Sequence, residues 1–204
     1  MAPTNKGPIN ANELITKLEQ DPAYQERRRR RDWELQQKEQ EYAQAEKPLV
    51  DELRAAGADV TSAWDLVNSK VPYSDNLLPI LAEHLQRPYP AAVRDGIARA
   101  LAVPGARFAW NVLISLYREE REERVKQGLA VAIANIADQA LIPQVINLAR
   151  NPQNGESRVL LLFALKRWYR DPRAFAALEE FASEPFLKKQ AQIVLRQLAA
   201  RKRR

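Results

Sequence analysis

Val93-Arg94-Asp95-Gly96-Ile97-Ala98-Arg99-Ala100-Leu101 and Val125-Lys126-Gln127-Gly128-Leu129-Ala130-Val131-Ala132-Ile133 carry one apolar register twice, 32 residues apart. Val93, Ile97 and Leu101 return as Val125, Leu129 and Ile133, and again as Ser157, Leu161 and Leu165. A spacing of four places each triplet on one face of a helix. The segments before them keep the same step, since Leu78, Leu81 and Leu85 become Trp110, Leu113 and Tyr117 and then Ile142, Val145 and Ala149, while Pro79 returns as Pro143. A fourth copy follows at a step of 30, with Phe175 and Leu178 answering Val145 and Leu148, and Ala191 and Leu195 answering Leu161 and Leu165. Terminal copies of a repeat array are expected to be atypical.

Each copy reads as two apolar-faced helices joined by a turn, over 75–87 with 90–103, 106–120 with 122–137, 139–150 with 156–169, and 172–183 with 185–200. One such pair cannot bury its apolar face, and stacked pairs can. The register therefore predicts an all-α chain, a right-handed α-solenoid of about four helix pairs over 75–200. Prolines sit where helices begin, at Asp21-Pro22, Tyr89-Pro90, Asp171-Pro172 and Glu184-Pro185, because a first-turn residue needs no N–H. Asn10 with Glu13 forms a capping-box variant flanked by Ile9 and Leu14 as a hydrophobic staple. Residues 48–74 read as an N-terminal cap or degenerate repeat, with short helices over 48–56, closed by Gly57, and 62–69. Residues 1–47 form a charged helical extension whose long helix over 24–47 has only Tyr24, Trp33, Leu35 and Tyr42 as large apolar residues. That stripe is expected to lie against the array or to meet a partner. Residues 201–204 are a basic tail.

Composition narrows the chemistry. The 204 residues hold 32 Lys plus Arg against 26 Asp plus Glu, a net charge of +6, and no cysteine. Disulfides, thiolate metal sites and Cys nucleophiles are thereby excluded, and a reducing cytoplasm is expected. No run approaches the roughly 18 apolar residues of a membrane span, and Met1 to Lys6 lack the apolar block of a secretory signal. A single histidine, His84, cannot build a multi-His metal site or paired Glu-x-x-His ligand sets. The six isolated glycines make neither a P-loop nor a dinucleotide fingerprint, and no Gly-x-Ser-x-Gly elbow is present. The expectation is a non-enzymatic chain with no cofactor and no metal, and with His84 as a helix-face residue rather than a lone base.

The segments 93–101 and 125–133 resemble the second helix of short bacterial HEAT repeats, the kind also found in phycobilin lyases, and the likeness covers about residues 75–200. With Asp21-Pro22-Ala23-Tyr24, Trp64-Asp65-Leu66-Val67-Asn68 and Pro88-Tyr89-Pro90, the whole chain is similar to a group of uncharacterised bacterial HEAT-repeat proteins. The resemblance implies the solenoid fold and brings no activity with it.

Arg94, Lys126 and Arg158 follow the step of 32, and Lys188 continues it at 30. Such a row suits acidic partners or phosphates. It equally suits junctions between neighbouring repeats, where Asp138 and Asp171 would be its partners. With Arg99 and Lys166, these residues define the expected surface for a protein partner, lined by the second helices. The alternative is nucleic acid, using the same ladder, a cationic aromatic patch of Arg167, Trp168, Tyr169 and Arg170, the tail Arg201, Lys202, Arg203 and Arg204, and the Arg27–Arg31 run as a clamp. Two counts weigh against that alternative. Residues 1–47 hold nine basic and nine acidic side chains, and 48–200 hold 19 basic against 17 acidic.

Overall fold

The computed structural model describes residues 10–70 and 72–202, and every regular element among them is a helix. Two compact units, Met1–Gln44 and Ala45–Arg204, divide the chain. In the first, α1 (Ala11–Gln20) starts where Asn10 accepts the Glu13 N–H at 2.9 Å. Ile9, the expected staple residue, lies outside the described residues. Asp21 then ends α1 and opens α2 (Pro22–Ala55), its carboxylate accepting the Ala23 N–H at 2.9 Å. The large apolar residues Leu14, Ile15, Trp33 and Leu35 are exposed.

The helix α2 continues past Pro48, where the sequence predicts a break. Proline inside a helix costs about 3 kcal/mol through its lost hydrogen bond and ring clash. The residues beyond it supply more than that, because Leu49, Val50 and Leu53 are buried at roughly 2 kcal/mol each. Glu46, one turn before them, is buried as well and accepts the Ala63 N–H at 2.5 Å and the Ser62 hydroxyl at 3.0 Å. It thereby fixes the start of α3 (Ala63–Asn68). Burial pushes the Glu46 carboxyl above its ordinary range, against these two hydrogen bonds. Gly57, at φ +95°, closes α2 as expected.

Eight more helices follow: α4 (Leu77–His84), α5 (Ala91–Ala100), α6 (Trp110–Glu119), α7 (Glu123–Ile136), α8 (Ile142–Arg150), α9 (Arg158–Arg167), α10 (Pro172–Phe181) and α11 (Lys188–Lys202). They pack as pairs, α4 on α5, α6 on α7, α8 on α9 and α10 on α11. The later member of each pair also packs on its counterparts, so that α5, α7, α9 and α11 lie in sequence, with α3 against α5. Every triplet of the 32-residue register is buried, including Trp110, Tyr117 and the polar Ser157. In the fourth copy Leu178 and Ala191 are buried, while Phe175 and Leu195 are partly covered.

Several boundaries differ from expectation for local reasons. Residues Pro104–Ala109 and Gln139–Leu141 form 3-10 turns ahead of α6 and α8. At Pro185 the Glu184 carboxylate accepts the Leu187 N–H at 2.5 Å and its carbonyl accepts that of Lys188 at 2.8 Å, the bonding of a helix cap, although the regular helix begins only at Lys188. Asp171 behaves as expected, accepting the Arg173 N–H at 2.9 Å to open α10. The Arg173 guanidinium, 2.7 Å away, holds the Asp171 carboxyl far below the usual carboxylate range.

Close packing of α7 on α5 depends on Gly128. A Cβ there would stand 2.6 Å from an Asp95 carboxylate oxygen and 3.0 Å from the Asp95 carbonyl. Ordinarily Gly→Ala inside a helix gains about 1 kcal/mol. Here Gly128→Ala is expected to lose about 1–3 kcal/mol instead, read as a lower urea midpoint. Asp171 yields a second expectation. Its depressed carboxyl gives stability that is present above about pH 4, the unfolded value, and that fades as pH falls through the folded value. Asp171→Asn is expected to flatten that decline between neutral and acid pH in denaturation curves.

Candidate partner-binding surface

Helix C-termini leave carbonyls unpaired and carry partial negative charge, and the basic ladder serves them. Arg158, only 4 % exposed, donates to Ala149 O at the end of α8 (3.1 Å), to Gly155 O (3.1 Å) and to the Glu184 carboxylate (3.4 Å). Lys126, 6 % exposed, reaches Glu120 O just past the end of α6 at 3.3 Å, and its ammonium lies 5.3 Å from the Tyr117 ring centroid. The Tyr117 hydroxyl is 2.9 Å from Ser157 Oγ, and burial pushes its pKa up to about 12. Arg94 meets the Glu120 carboxylate at 2.6 Å. The expected surface is corrected here: Lys126 and Arg158 lie in the interior and Arg94 is engaged with Glu120, so a partner finds no free charge on them. Their partners differ from expectation too. Asp138 instead pairs with Arg107 at 2.8 Å and accepts the Leu141 N–H, while Asp171 caps α10.

Arg99 and Lys166 are partly exposed but tied down. Arg99 donates to Asp95 at 2.7 Å with its guanidinium 6.0 Å from the Trp64 ring, and Lys166 donates to Gln197 at 2.6 Å. Asp95, buried, also accepts from Arg124 at 3.2 Å and so links α5 to α7. Lys188 is exposed. In the cationic aromatic patch, Arg167 donates to Ala134 O and Ala137 O at 2.7 Å each, and the Trp168 indole N–H donates to Ala137 O at 3.1 Å. These bonds fasten α9 to the end of α7. The Arg170 guanidinium stays over Tyr169, 5.8 Å from its ring centroid. Arg201 is exposed, whereas Arg203, Arg204 and the Lys202 side chain lie outside the described residues. In the arginine run, Arg30 pairs with Glu34 at 3.0 Å and Arg28 with Asp32 at 3.8 Å, all well exposed.

Five residues on from each ladder position, the structure places a different row. Arg99, Val131, Phe163 and Ile193 occupy equivalent register positions on α5, α7, α9 and α11. Phe163 is 48 % exposed, and Val131, Leu160 and Ile193 are partly covered. Beside the row a cleft of about 360 Å³ is lined by Lys166, Gln197, Ala200 and Arg201. Sequence reasoning missed this row because it followed the charged position. Its signal was present, since a Phe stood where the preceding copies carry Arg and Val.

His84 is corrected as well: it is fully buried, not a helix-face residue. Its Nδ1 lies 2.7 Å from the Tyr89 hydroxyl, and its Nε2 is 3.0 Å from a Glu52 carboxylate oxygen but off the axis of a hydrogen bond. Two clefts of about 500 and 410 Å³ share Tyr73, whose hydroxyl donates to Ala100 O. Asp65, in the smaller cleft, accepts from Thr61 and Ser62 at the start of α3. Among the described residues no group of three or more acids or histidines is placed to hold a metal, and no helix is long and apolar enough to cross a membrane. No family model, curated protein or solved structure matches the chain.

The ladder positions separate cleanly by experiment. Arg158→Met keeps the aliphatic stem and strands the two carbonyls, so it is expected to cost about 2–4 kcal/mol in chemical denaturation. Lys188→Met, at the next ladder position, is expected to stay within about 0.5 kcal/mol of the parent.

Proposed function

We propose that the chain is a right-handed α-solenoid of HEAT-like helix pairs, acting in the cytoplasm as a non-enzymatic scaffold that receives a protein partner on the surface of α5, α7, α9 and α11. The observation that carries this reading is Phe163, a large aromatic side chain 48 % exposed on a helix whose Leu161, Leu162, Ala164 and Leu165 are buried. Leaving such a side chain in water forgoes roughly 2 kcal/mol that a partner would recover. The sequential packing of these helices supports the solenoid, as does the burial of the whole register. Shape would then be the mechanism. Helices cross-linked through Asp95, Arg158, Arg167 and the Lys166–Gln197 bond form a stiff surface that orders little on binding, which lowers the entropic cost of association.

The test is affinity capture from extracts of the cells that make the protein, with the parent chain, Phe163→Asp and Phe108→Asp compared side by side. Phe108 is also exposed and lies outside the row. The expected outcome is a protein captured by the parent and by Phe108→Asp but lost, by at least about tenfold, with Phe163→Asp, at unchanged helical circular dichroism. Capture indifferent to both substitutions contradicts the proposed surface. Retention of labelled random nucleic acid instead, falling steeply with salt, would favour the nucleic-acid reading.

A further inference from the structure

We infer that the partner segment is an amphipathic helix with an acidic flank, seated on Val131, Phe163 and Ile193 and held along its edge by Lys166, Arg196 and Arg201. This deepens the scaffold reading above and rests on it.

Charge segregation is the first support. Helices α9 and α11 together carry eight basic and no acidic residues, whereas α8 and α10 carry Arg150 and Arg173 against Glu179 and Glu180. Of the two acids on α10, Glu180 is engaged locally, accepting Arg150 in a two-pronged pair at 2.6 and 2.8 Å. The uncompensated charge thus gathers on one side of the last two pairs. Arg158 there is matched by Glu184, but among the described residues Lys189, Arg196 and Arg201 make no ion pair. A surface of one sign with few internal counter-charges favours a partner of the opposite sign and speeds its approach.

The apolar part of the row selects the kind of acidic partner. Its members Val131 and Ile193 are aliphatic and partly covered, as is Leu160 one turn before Phe163 on α9, and Phe163 stands among them. An amphipathic helix offers apolar side chains at i, i+3 or i+4 and i+7 to such a row while its polar face keeps its water. The acids bordering that apolar stripe then fall beside Lys166, Arg196 and Arg201. A nucleic acid strand fits less well, because it needs several stacking aromatics along the track. The row supplies one, Phe163.

The experiment pans a displayed library of random peptides, each long enough for about four helical turns, against the full-length parent and Phe163→Asp. Anisotropy of labelled random single-stranded DNA runs in parallel. The inference expects enriched peptides with Leu, Ile or Phe at helical spacing and a clear excess of Asp and Glu over Lys and Arg. Synthesised examples should bind Phe163→Asp and the double variant Arg196→Glu, Arg201→Glu at least about tenfold more weakly, with helical circular dichroism unchanged. Apolar helical peptides without an acidic excess, bound equally by the double variant, overturn the acidic flank and leave the scaffold reading standing. No enrichment, enrichment indifferent to Phe163, or DNA binding that Phe163→Asp abolishes overturns both.

Discussion

Cations set against the ends of helices hold this protein together. A helix that stops inside a packed body leaves carbonyls in a medium of low polarity, where each unsatisfied group costs about 1–3 kcal/mol. Arg158 serves the end of α8, Lys126 the end of α6, and Arg167 the end of α7. Each comes from a later helix, so the bond that finishes one element also positions the next. The geometry tolerates the burial of charge because Arg158 finds the Glu184 carboxylate and Arg94 that of Glu120. An isolated buried cation would be far costlier than the carbonyl it satisfies.

That arrangement clarifies which parts of the structure were legible in the sequence. The apolar triplets were, since a period of four on a fixed step of 32 residues reports the buried face directly, and every triplet is buried. Helix starts that depend on one side chain, such as Asn10 and Asp171, were legible for the same reason: the chemistry is local. Pro48 was misread because its local cost is outweighed by the burial of Leu49, Val50 and Leu53, which only tertiary packing supplies. Glu184 caps the turn at Pro185 in the same local way, although the regular helix is reached only at Lys188. Neither the partners of the ladder nor the buried Asp95, shared by Arg99 and Arg124, could be read from a single chain. Those contacts join positions up to 29 residues apart in turns of irregular length.

The candidate surface follows from the same division. With Lys126 and Arg158 in the interior and Arg94 paired, the uncompensated basic residues of the array gather on α9 and α11, near the exposed Phe163. Arg94, Lys126 and Arg158 of the basic row that stood out in the sequence therefore act as joints, and the less conspicuous row that includes Phe163 is the more exposed. His84 is sealed among Glu52, Arg87 and Tyr89, with no exposure through which a substrate could approach its ring.

A photoreactive phenylalanine analogue placed at 163, with a matched chain carrying it at 108, tests the proposed surface most directly in the cells that make the protein. A discrete protein adduct from position 163, mapped by mass spectrometry to an acidic helical segment and absent from position 108, is the predicted result. Equal labelling from both positions, or adducts with nucleic acid alone, would contradict it.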